Sequence, residues 1–260
     1  MKNALASRIG EGLATLLPEF LCTAFAKQLA ERNPQLLLEA LGPKLNRTPS
    51  LDTMPFDLSP SAPLQFEDLS GLFASTSLDH GVIAMTVRQT AYLFGLIRRL
   101  KPRKVIEIGR YKGGSTLTIA AAMNGQGDFW SIDLGEKEAR LHQRGTTRTF
   151  DDEIRDICKR FGLSVTLLVG DSRTIDVETG EVDLVFIDGD HSYEGVKNDF
   201  ERFGRRVKVG GAVLFDDACD EAVFHTHSES VGKLLNEIVA QQSFRLVKSV
   251  NRLAHIERIR

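Results

Sequence analysis

A short apolar strand breaks into a glycine-rich turn at residues 105–115, Val-Ile-Glu-Ile-Gly-Arg-Tyr-Lys-Gly-Gly-Ser. The run Lys104–Ile108 predicts a buried strand, and Ser115–Met123 predicts the helix that follows it. Gly109 and Gly113 flank the turn, where the absence of a side chain lets the backbone approach a ligand closely. A strand, turn and helix of this kind are typical of a nucleoside-binding loop.

The glycine spacing differs from that of a dinucleotide-binding turn. The dinucleotide pattern Gly-x-Gly-x-x-Gly needs a glycine at position 111, where the chain has Tyr111, so a pyrophosphate pressed against this turn would meet a side chain. Glu107 places a carboxylate beside the turn, which would repel a diphosphate but suits a ligand with hydroxyl groups and a positive charge. S-adenosylmethionine is a ligand of this kind.

The composition of the whole chain is that of a globular protein. Its 260 residues are 42% hydrophobic and 26% charged, which allows one large α/β domain with an appendage, and the net charge of -2 gives no reason to expect nucleic acid as a partner. Cys22, Cys158 and Cys219 are widely spaced and odd in number, which favours reduced thiols. We see no signal-peptide pattern and no run of about 18 apolar residues, and expect a cytoplasmic protein with no transmembrane segment.

The first 65 residues differ in character from the rest of the chain. Seven of the eight prolines lie at or before Pro63. Apolar residues recur at helical spacing over residues 13–25, which predicts a helix that packs on its own domain or on a second subunit, with a membrane-surface role as the alternative. We therefore expect a helical, proline-rich extension over residues 1–65, a second domain over 66–260, and a homo-oligomer.

From about residue 82 onward, helical and strand patterns alternate. The predicted helices include Thr86–Leu100 and a stretch marked by Val196, Phe200, Phe203 and Val207. The predicted strands lie at 104–108, 128–133, 164–169, 182–188 and 211–216, followed by an antiparallel pair at Phe244–Val250 and Arg252–Ile256. This alternation predicts an α/β fold with a doubly wound, mostly parallel sheet of seven strands.

Acidic residues stand at the end of each predicted parallel strand, where open α/β sheets bind their ligands. They are Glu107, Asp133, Asp171, Asp188 and the pair Asp216 and Asp217. A single strand-end aspartate is commonly a turn or helix cap, but repetition over five strands favours a binding site. Asp133 lies 24 residues beyond Gly109, where an acid can accept hydrogen bonds from both ribose hydroxyls, as it also does in dehydrogenases.

The run from Glu107 to Ser115 resembles the first motif of class I S-adenosylmethionine-dependent methyltransferases. It is most similar to the Glu-x-Gly-x-x-x-Gly-x-Ser form of the metal-dependent, catechol O-methyltransferase-like branch. The resemblance covers residues 80–257, and it implies a Rossmann-like methyltransferase domain with Asp171 and Ser172 at the adenine amino group. The residues expected around S-adenosylmethionine are Glu107, Gly109, Tyr111, Gly113, Ser115, Asp133, Asp171, Ser172 and Asp188.

Asp188, Asp216 and Asp217 follow neighbouring strands, so their side chains can converge on one point. Three carboxylates would repel one another without a cation, and the only soft ligand near by is Cys219, so we expect an all-oxygen site for Mg²⁺ or Mn²⁺, with Ca²⁺ as the alternative. The resemblance places these three residues at the family's metal-binding positions. Asp217 replaces an asparagine of the catechol pattern, and His191 stands where a catalytic lysine is expected; both departures resemble macrocin-type sugar O-methyltransferases.

These residues predict a metal-dependent O-methyltransferase acting on a hydroxyl of a saccharide or natural product. A sugar hydroxyl is protonated at neutral pH, so its pKa must be lowered by a metal, and His191, with an ordinary pKa of ~6.5, is the expected general base.

We expect the loops at residues 66–90, 135–150 and 218–230 to form the acceptor pocket, with 135–150 as a mobile lid. His225 and His227 are candidate lining residues of this pocket. Two alternatives stay open: a metal-using hydrolase or nucleotide-sugar enzyme on a similar sheet, and a cofactor-binding scaffold without activity.

Overall fold

The computed structural model of the protein describes residues 64–72, 82–135, 149–218 and 228–260. The strands in these ranges are β1 (Lys104–Ile108), β2 (Asp128–Asp133), β3 (Thr166–Val169), β4 (Val182–Ile187), β5 (Val207–Phe215), β6 (Phe244–Val250) and β7 (Leu253–Arg258). The α-helices are α1 (Val87–Leu100), α2 (Gly114–Met123), α3 (Phe150–Phe161), α4 (Tyr193–Arg202) and α5 (Ser228–Ala240), with 3₁₀ turns at Phe66–Leu72 and Gly204–Arg206.

The strands of these ranges form one sheet in the order β3-β2-β1-β4-β5-β7-β6. Strands β1 to β5 run parallel, and β7 lies antiparallel to both β5 and β6. This confirms the predicted mostly parallel sheet with an antiparallel C-terminal pair. The chain moves outward from β1 to β3 and then returns to β4 on the other side of β1, so the carboxyl ends of β1 and β4 flank a crevice suited to a ligand.

Two apolar cores lie on opposite faces of the sheet. In β1, Val105 belongs to one core and Ile106 to the other, because successive side chains of a strand point to opposite faces. Helices α1, α2 and α3 contribute to the first core, and α4 and α5 contribute to the second. Helices on both faces confirm the predicted doubly wound architecture.

Helix α1 carries clear start and stop signals. The hydroxyl of Thr86 accepts from the N–H of Gln89, and the side chain of Gln89 accepts from the N–H of Thr86, which is a capping box. Lys101 ends the helix in the left-handed conformation, and Pro102 follows it. The capping box fixes the first turn of α1, which reaches the functional site described below.

The predicted helix through residues 196–207 is too long. Helix α4 ends at Arg202, Gly204–Arg206 forms a 3₁₀ turn, and Val207 is already the first residue of β5. Phe203 and Val207 are both fully buried. Phe203 and Val207 are buried in the same core as the apolar residues of α4. Their spacing therefore resembles that of a helix although they lie beyond its end.

Several predictions concern residues outside the described ranges: the extension up to residue 63, Cys22, Cys219, His225, His227 and positions 136–148 of the expected lid. The last residues of that lid segment belong to the start of α3, where Thr149 is the N-cap. Cys158 is a buried thiol in the same helix. None of the helices in the described part of the chain is long and apolar enough to cross a bilayer.

Candidate active site

A cavity of about 370 Å³ opens at the carboxyl ends of the central parallel strands. Its size falls within the range of roughly 300–1,000 Å³ that is typical of small-molecule sites. The residues that line it are Ile108, Gly109, Tyr111, Ile132, Asp133, Leu134, Gly170, Asp171, Ser172, Arg173, Asp188, Gly189, Asp190, Gly195 and Asp199. Most of the predicted cofactor residues are therefore brought together here, whereas Glu107, Gly113 and Ser115 are not among the lining residues.

Gly109 allows the first turn to pack directly on the end of β4. Its φ of +86° lies in the left-handed region, and a Cβ atom at this position would lie 2.0 Å from the carbonyl oxygen of Asp188. The N–H of Asp188 donates to the carbonyl oxygen of Ile108 at 2.8 Å. Contact between the two strand ends thus requires glycine here.

Asp133 holds the shape of the glycine-rich turn. Its Oδ2 accepts from the N–H groups of Arg110 at 2.8 Å and Tyr111 at 3.0 Å, and its Oδ1 accepts from the N–H of Gly135 at 2.7 Å. These bonds fix Tyr111 at a φ of +46°, a conformation that costs a non-glycine residue about 1–3 kcal/mol. A carboxylate has about four lone-pair sites, so Asp133 keeps capacity for roughly one further donor.

Arg110 ties the turn to helix α3. Its side chain is buried and forms a two-point ion pair with Asp151, with Nε to Oδ1 at 2.8 Å and Nη2 to Oδ2 at 2.9 Å. Its Nη1 donates to the carbonyl oxygen of Ser131 at 2.7 Å. Sequence reasoning missed both partners, because the pairing depends on how α3 packs beside β2.

Glu107 lies inside the protein and not in the cavity. It is fully buried and accepts hydrogen bonds from the hydroxyls of Thr116 at 2.6 Å and Ser131 at 2.5 Å. Burial raises the pKa of Glu107 above the ordinary value of a glutamic acid. In this structure Glu107 joins β1, α2 and β2 beneath the turn.

Gly113 and Ser115 are likewise placed by packing. Gly113 has a φ of +89°, and a Cβ atom there would lie 2.3 Å from Cδ1 of Ile154 in α3. Ser115 is buried in the first turn of α2. The close approach at Gly113 is therefore to a neighbouring helix.

Asp171 and Arg173 form a pair at the rim of the cavity. The Nε of Arg173 lies 2.9 Å from Oδ1 and its Nη2 lies 2.6 Å from Oδ2 of Asp171. Hydrogen bonds from the side chain and then the backbone N–H of Arg173 lower the pKa of Asp171 to about 2. Asp171 is thus ionised, and much of its accepting capacity is already used.

Ser172 is bonded to an aspartate that sequence reasoning did not single out. Its hydroxyl donates to Oδ1 of Asp199 at 2.6 Å, and Asp199 is 2% exposed within helix α4. Burial raises the pKa of Asp199, and the Ser172 hydroxyl opposes that effect. Asp199 follows no strand, so the pattern of strand-end acids does not reveal it.

His191 lies between two of the predicted metal-binding carboxylates. Its Nε2 is 3.3 Å from Oδ1 of Asp188, and its Nδ1 is 3.0 Å from Oδ2 of Asp217. Hydrogen bonds to Asp188 and Asp217 raise the pKa of His191 to about 10. A protonated imidazole cannot accept a proton, so the base role expected of His191 requires a state in which these carboxylates have another partner.

The acidic cluster carries negative charge that is only partly balanced. Asp216 and Asp217 are 6% and 8% exposed. Burial, followed by the nearby charge of Asp216, raises the pKa of Asp188 to about 7. Burial, followed by the charge of Asp217, also raises the pKa of Asp216. Asp188, Asp216 and Asp217 therefore lie close enough to influence one another's charge, and their convergence on a single point stays a prediction.

Two further residues that sequence reasoning missed complete this cluster. The buried amide of Gln89, in the first turn of α1, donates from Nε2 to Oδ1 of Asp216 at 2.9 Å. The Nη1 of Arg252, in the turn between β6 and β7, lies 2.6 Å from Oδ1 of Asp217. The sequence contains a capping-box pattern at Gln89, but no sequence pattern indicates that Gln89 contacts Asp216 or that Arg252 contacts Asp217.

The cluster offers donors suited to a hard divalent cation. Among the described residues, however, no three side chains of His, Cys, Asp or Glu surround a common point as they would around a bound metal. His191 and Arg252 face the carboxylates in this structure. The all-oxygen donors and their unbalanced charge fit Mg²⁺ or Mn²⁺ in chemistry, and a bound ion would replace contacts that are now made by these two cations.

Comparison with known proteins finds a match for the central part of the chain. Residues 106–218 match the model of a methyltransferase domain. The range includes every residue that lines the cavity and the three aspartates of the cluster. This agrees with the resemblance to methyltransferases, while the branch within them stays a prediction.

Two curated relatives cover about half of the chain. Uncharacterized protein R132 of Acanthamoeba polyphaga mimivirus is 39% identical over 138 residues, covering 52% of this chain and 58% of the relative. The 8-demethyl-8-(2,3-dimethoxy-alpha-L-rhamnosyl)-tetracenomycin-C 4'-O-methyltransferase of Streptomyces olivaceus is 28% identical over 149 residues, covering 47% of this chain and 57% of the relative. The chain therefore spans just over half the length of these relatives.

A solved structure shares the fold. The O-methyltransferase TomG from Streptomyces achromogenes, involved in tomaymycin synthesis and solved in complex with S-adenosylmethionine, superposes with a TM-score of 0.51. The two are 17% identical, and the alignment covers 68% of this chain and 82% of TomG. The likeness confirms the predicted Rossmann-like methyltransferase fold.

Proposed function

We propose that this chain is an S-adenosylmethionine-dependent O-methyltransferase that acts on a hydroxyl group of a small molecule. The observation that carries this proposal is the position of Asp188, which lines the cavity and also contacts His191 in the charged cluster. A cofactor in the cavity and an acceptor at the cluster would thus meet at one residue. The methyltransferase-domain match supports the same reading.

The cofactor would extend across the ends of three adjacent strands. Asp133, after β2, has capacity left for a ribose hydroxyl beyond its backbone donors. The methionine portion would then lie at the turn around Gly109, and the base would lie near Ser172, after β3. Tyr111 would stand where the pyrophosphate of NAD would need a glycine.

His191 would remove the proton from the acceptor hydroxyl. It contacts Asp188, which lines the cavity, so a base at this position would lie near an oxygen that attacks the methyl group. Only the neutral imidazole can perform this step. His191 reaches that form at neutral pH once Asp188 and Asp217 no longer hold its proton.

We assign Asp188, Asp216 and Asp217 to a divalent-cation site for Mg²⁺ or Mn²⁺. When bound, such an ion supplies positive charge that lowers the pKa of a neighbouring hydroxyl. With Asp188 and Asp217 so engaged, the pKa of His191 would fall from about 10 toward its ordinary value of ~6.5. Gln89 would keep Asp216 in position in both states.

The acceptor we propose is a saccharide or a natural-product hydroxyl. Asp217 and His191 depart from the catechol pattern in the direction of sugar O-methyltransferases. The Streptomyces olivaceus relative is named as a 4'-O-methyltransferase of a rhamnosyl-tetracenomycin, which supports a glycosylated acceptor.

Titration calorimetry tests the cofactor assignment directly. S-adenosylmethionine and S-adenosylhomocysteine should bind, whereas NAD should not. Tight binding of NAD would contradict the proposal. Formation of S-adenosylhomocysteine in the presence of Mg²⁺, measured with glycosylated and catechol acceptors side by side, then tests the reaction and the acceptor class.

A further inference from the structure

We infer that Asp199 fixes the hydroxyl of Ser172 as a hydrogen-bond acceptor toward the cavity, and so makes the site selective for adenine over hypoxanthine. The inference rests on the proposed function, because it concerns the base of the cofactor. It gives Asp199 the role of a positioning residue, which acts through Ser172.

The direction of the hydrogen bond follows from the groups present. A serine hydroxyl has one proton and two lone pairs. The hydroxyl of Ser172 lies 2.6 Å from Oδ1 of Asp199, a distance typical of a hydroxyl that donates to a carboxylate. Since that proton is used, Ser172 can offer only a lone pair to a ligand in the cavity that both residues line.

Asp199 is held firmly enough to impose this direction. It is 2% exposed within α4, and the side-chain amide of Asn198 lies 3.4 Å from the same Oδ1. The backbone of Gly189 packs against it so closely that a Cβ atom there would lie 3.3 Å from Oδ2 of Asp199. The carboxylate of Asp199 is therefore buried, with the Ser172 hydroxyl as its shortest hydrogen bond.

The base of the cofactor would lie beside Ser172. The strand order β3-β2-β1 places the end of β3, with Ser172, on the far side of Asp133 from the glycine-rich turn. Adenine carries an amino group, a donor, where hypoxanthine carries a carbonyl oxygen, an acceptor. The neighbouring carboxylate of Asp171 is largely occupied by Arg173, so Ser172 is the group that would distinguish the two bases.

The test measures the affinities of S-adenosylhomocysteine and S-inosylhomocysteine by calorimetry. The unaltered protein should prefer the adenine compound by about tenfold or more, since the hypoxanthine compound sets two acceptors against each other. In Asp199→Asn the carboxamide can donate to the Ser172 hydroxyl, which can then turn its own hydrogen toward the cavity. The preference for the adenine compound should therefore fall by at least about tenfold. Ser172→Ala should bring the preference toward parity. Glu194→Gln, an exposed acid-to-amide change on the same helix, should leave it unchanged.

The ratio of the two affinities separates this role from a structural one. If Asp199→Asn and Ser172→Ala weaken both compounds by the same factor, the ratio stays constant and the inference is overturned. Equal binding of both compounds by the unaltered protein would also overturn it while leaving the proposed function intact. Failure of the unaltered protein to bind either compound would instead remove the proposed function.

Discussion

The two sides of the site are held by different forces. On the side of β1 and β2, the carboxylate of Asp133 is bound by three backbone N–H groups. On the side of β4 and β5, Asp188 and Asp217 are bound by the side chains of His191 and Arg252. Backbone donors keep their charge state at any pH, whereas the imidazole of His191 titrates. The contacts on the first side therefore do not depend on an imidazole proton, whereas those on the second side do.

Removal of divalent cations should act on the β4–β5 side alone, and should have the largest effect. Chelation should abolish turnover, and Mg²⁺ or Mn²⁺ should restore it, because the acceptor hydroxyl otherwise keeps its proton. Binding of S-adenosylhomocysteine, measured by calorimetry, should change little. Asp217→Ala should reduce the response to metal more than it reduces cofactor affinity. Full activity after exhaustive chelation would show that the cluster is purely structural.

His191→Ala should lower turnover by about 10² to 10⁴ while cofactor affinity stays near that of the parent, because a positioned base contributes a factor of this size. With metal present, the rate of the parent should rise with pH through a histidine ionisation, and the variant should lack that rise. Initial rates over a pH series measure both effects. A variant that retains most of the activity with the parent's pH profile would mean that another group takes the proton.

Asp133→Ala should affect the opposite side. We expect cofactor affinity to fall by about tenfold to a hundredfold, because both a charged acceptor and the bonds that shape the turn are lost. Asp128→Ala, which removes an exposed acid from the other end of β2, is the matched control and should bind the cofactor normally. Calorimetry on both variants gives the comparison. Unchanged affinity in Asp133→Ala would remove Asp133 from the cofactor site.

The smallest expected effect is on stability in the absence of metal. The pKa of His191 is about 10 in the folded protein and ~6.5 when unfolded, so its pairing with Asp217 stabilises the fold fully below pH ~6.5 and is lost as pH rises through 10. Asp188, whose pKa is about 7, is mostly protonated at pH 6 and adds little there. His191→Ala should therefore lower the free energy of unfolding by about 1 kcal/mol at pH 6 and by less at pH 10.5. Urea unfolding in the presence of a chelator measures this difference. A cost that is independent of pH would contradict the assigned protonation of His191.

The features predicted from the sequence are those that depend on local order. The strand-end positions of Asp133, Asp188 and Asp216 follow from short apolar runs, and a parallel sheet brings such ends to one edge. For the same reason, the alternation of helical and strand segments was enough to predict the sheet and its antiparallel C-terminal pair. The cavity that Asp133 and Asp188 line follows from the strand order.

The features that the sequence could not reveal depend on contacts between distant elements. Gln89, Arg252 and Asp199 reach the site from α1, from the β6–β7 turn and from α4, and each contact is set by packing. The raised pKa of His191 likewise depends on its distances to two carboxylates. Glu107 stands at the predicted strand end but points into the core, because Thr116 and Ser131 offer it hydroxyls there.

The pairing of β1 with β4 has a consequence for how the protein reaches its active form. Val105 pairs with Leu184, so a long stretch of chain must close into a loop before this seam of the sheet exists. Such closure costs entropy in advance of any contact, which makes parallel, non-local pairing a slow step in folding. Gly109 and Asp188 meet across that same seam. During refolding, cofactor binding should therefore recover more slowly than helical structure. Its recovery would report when the two halves of the sheet pair.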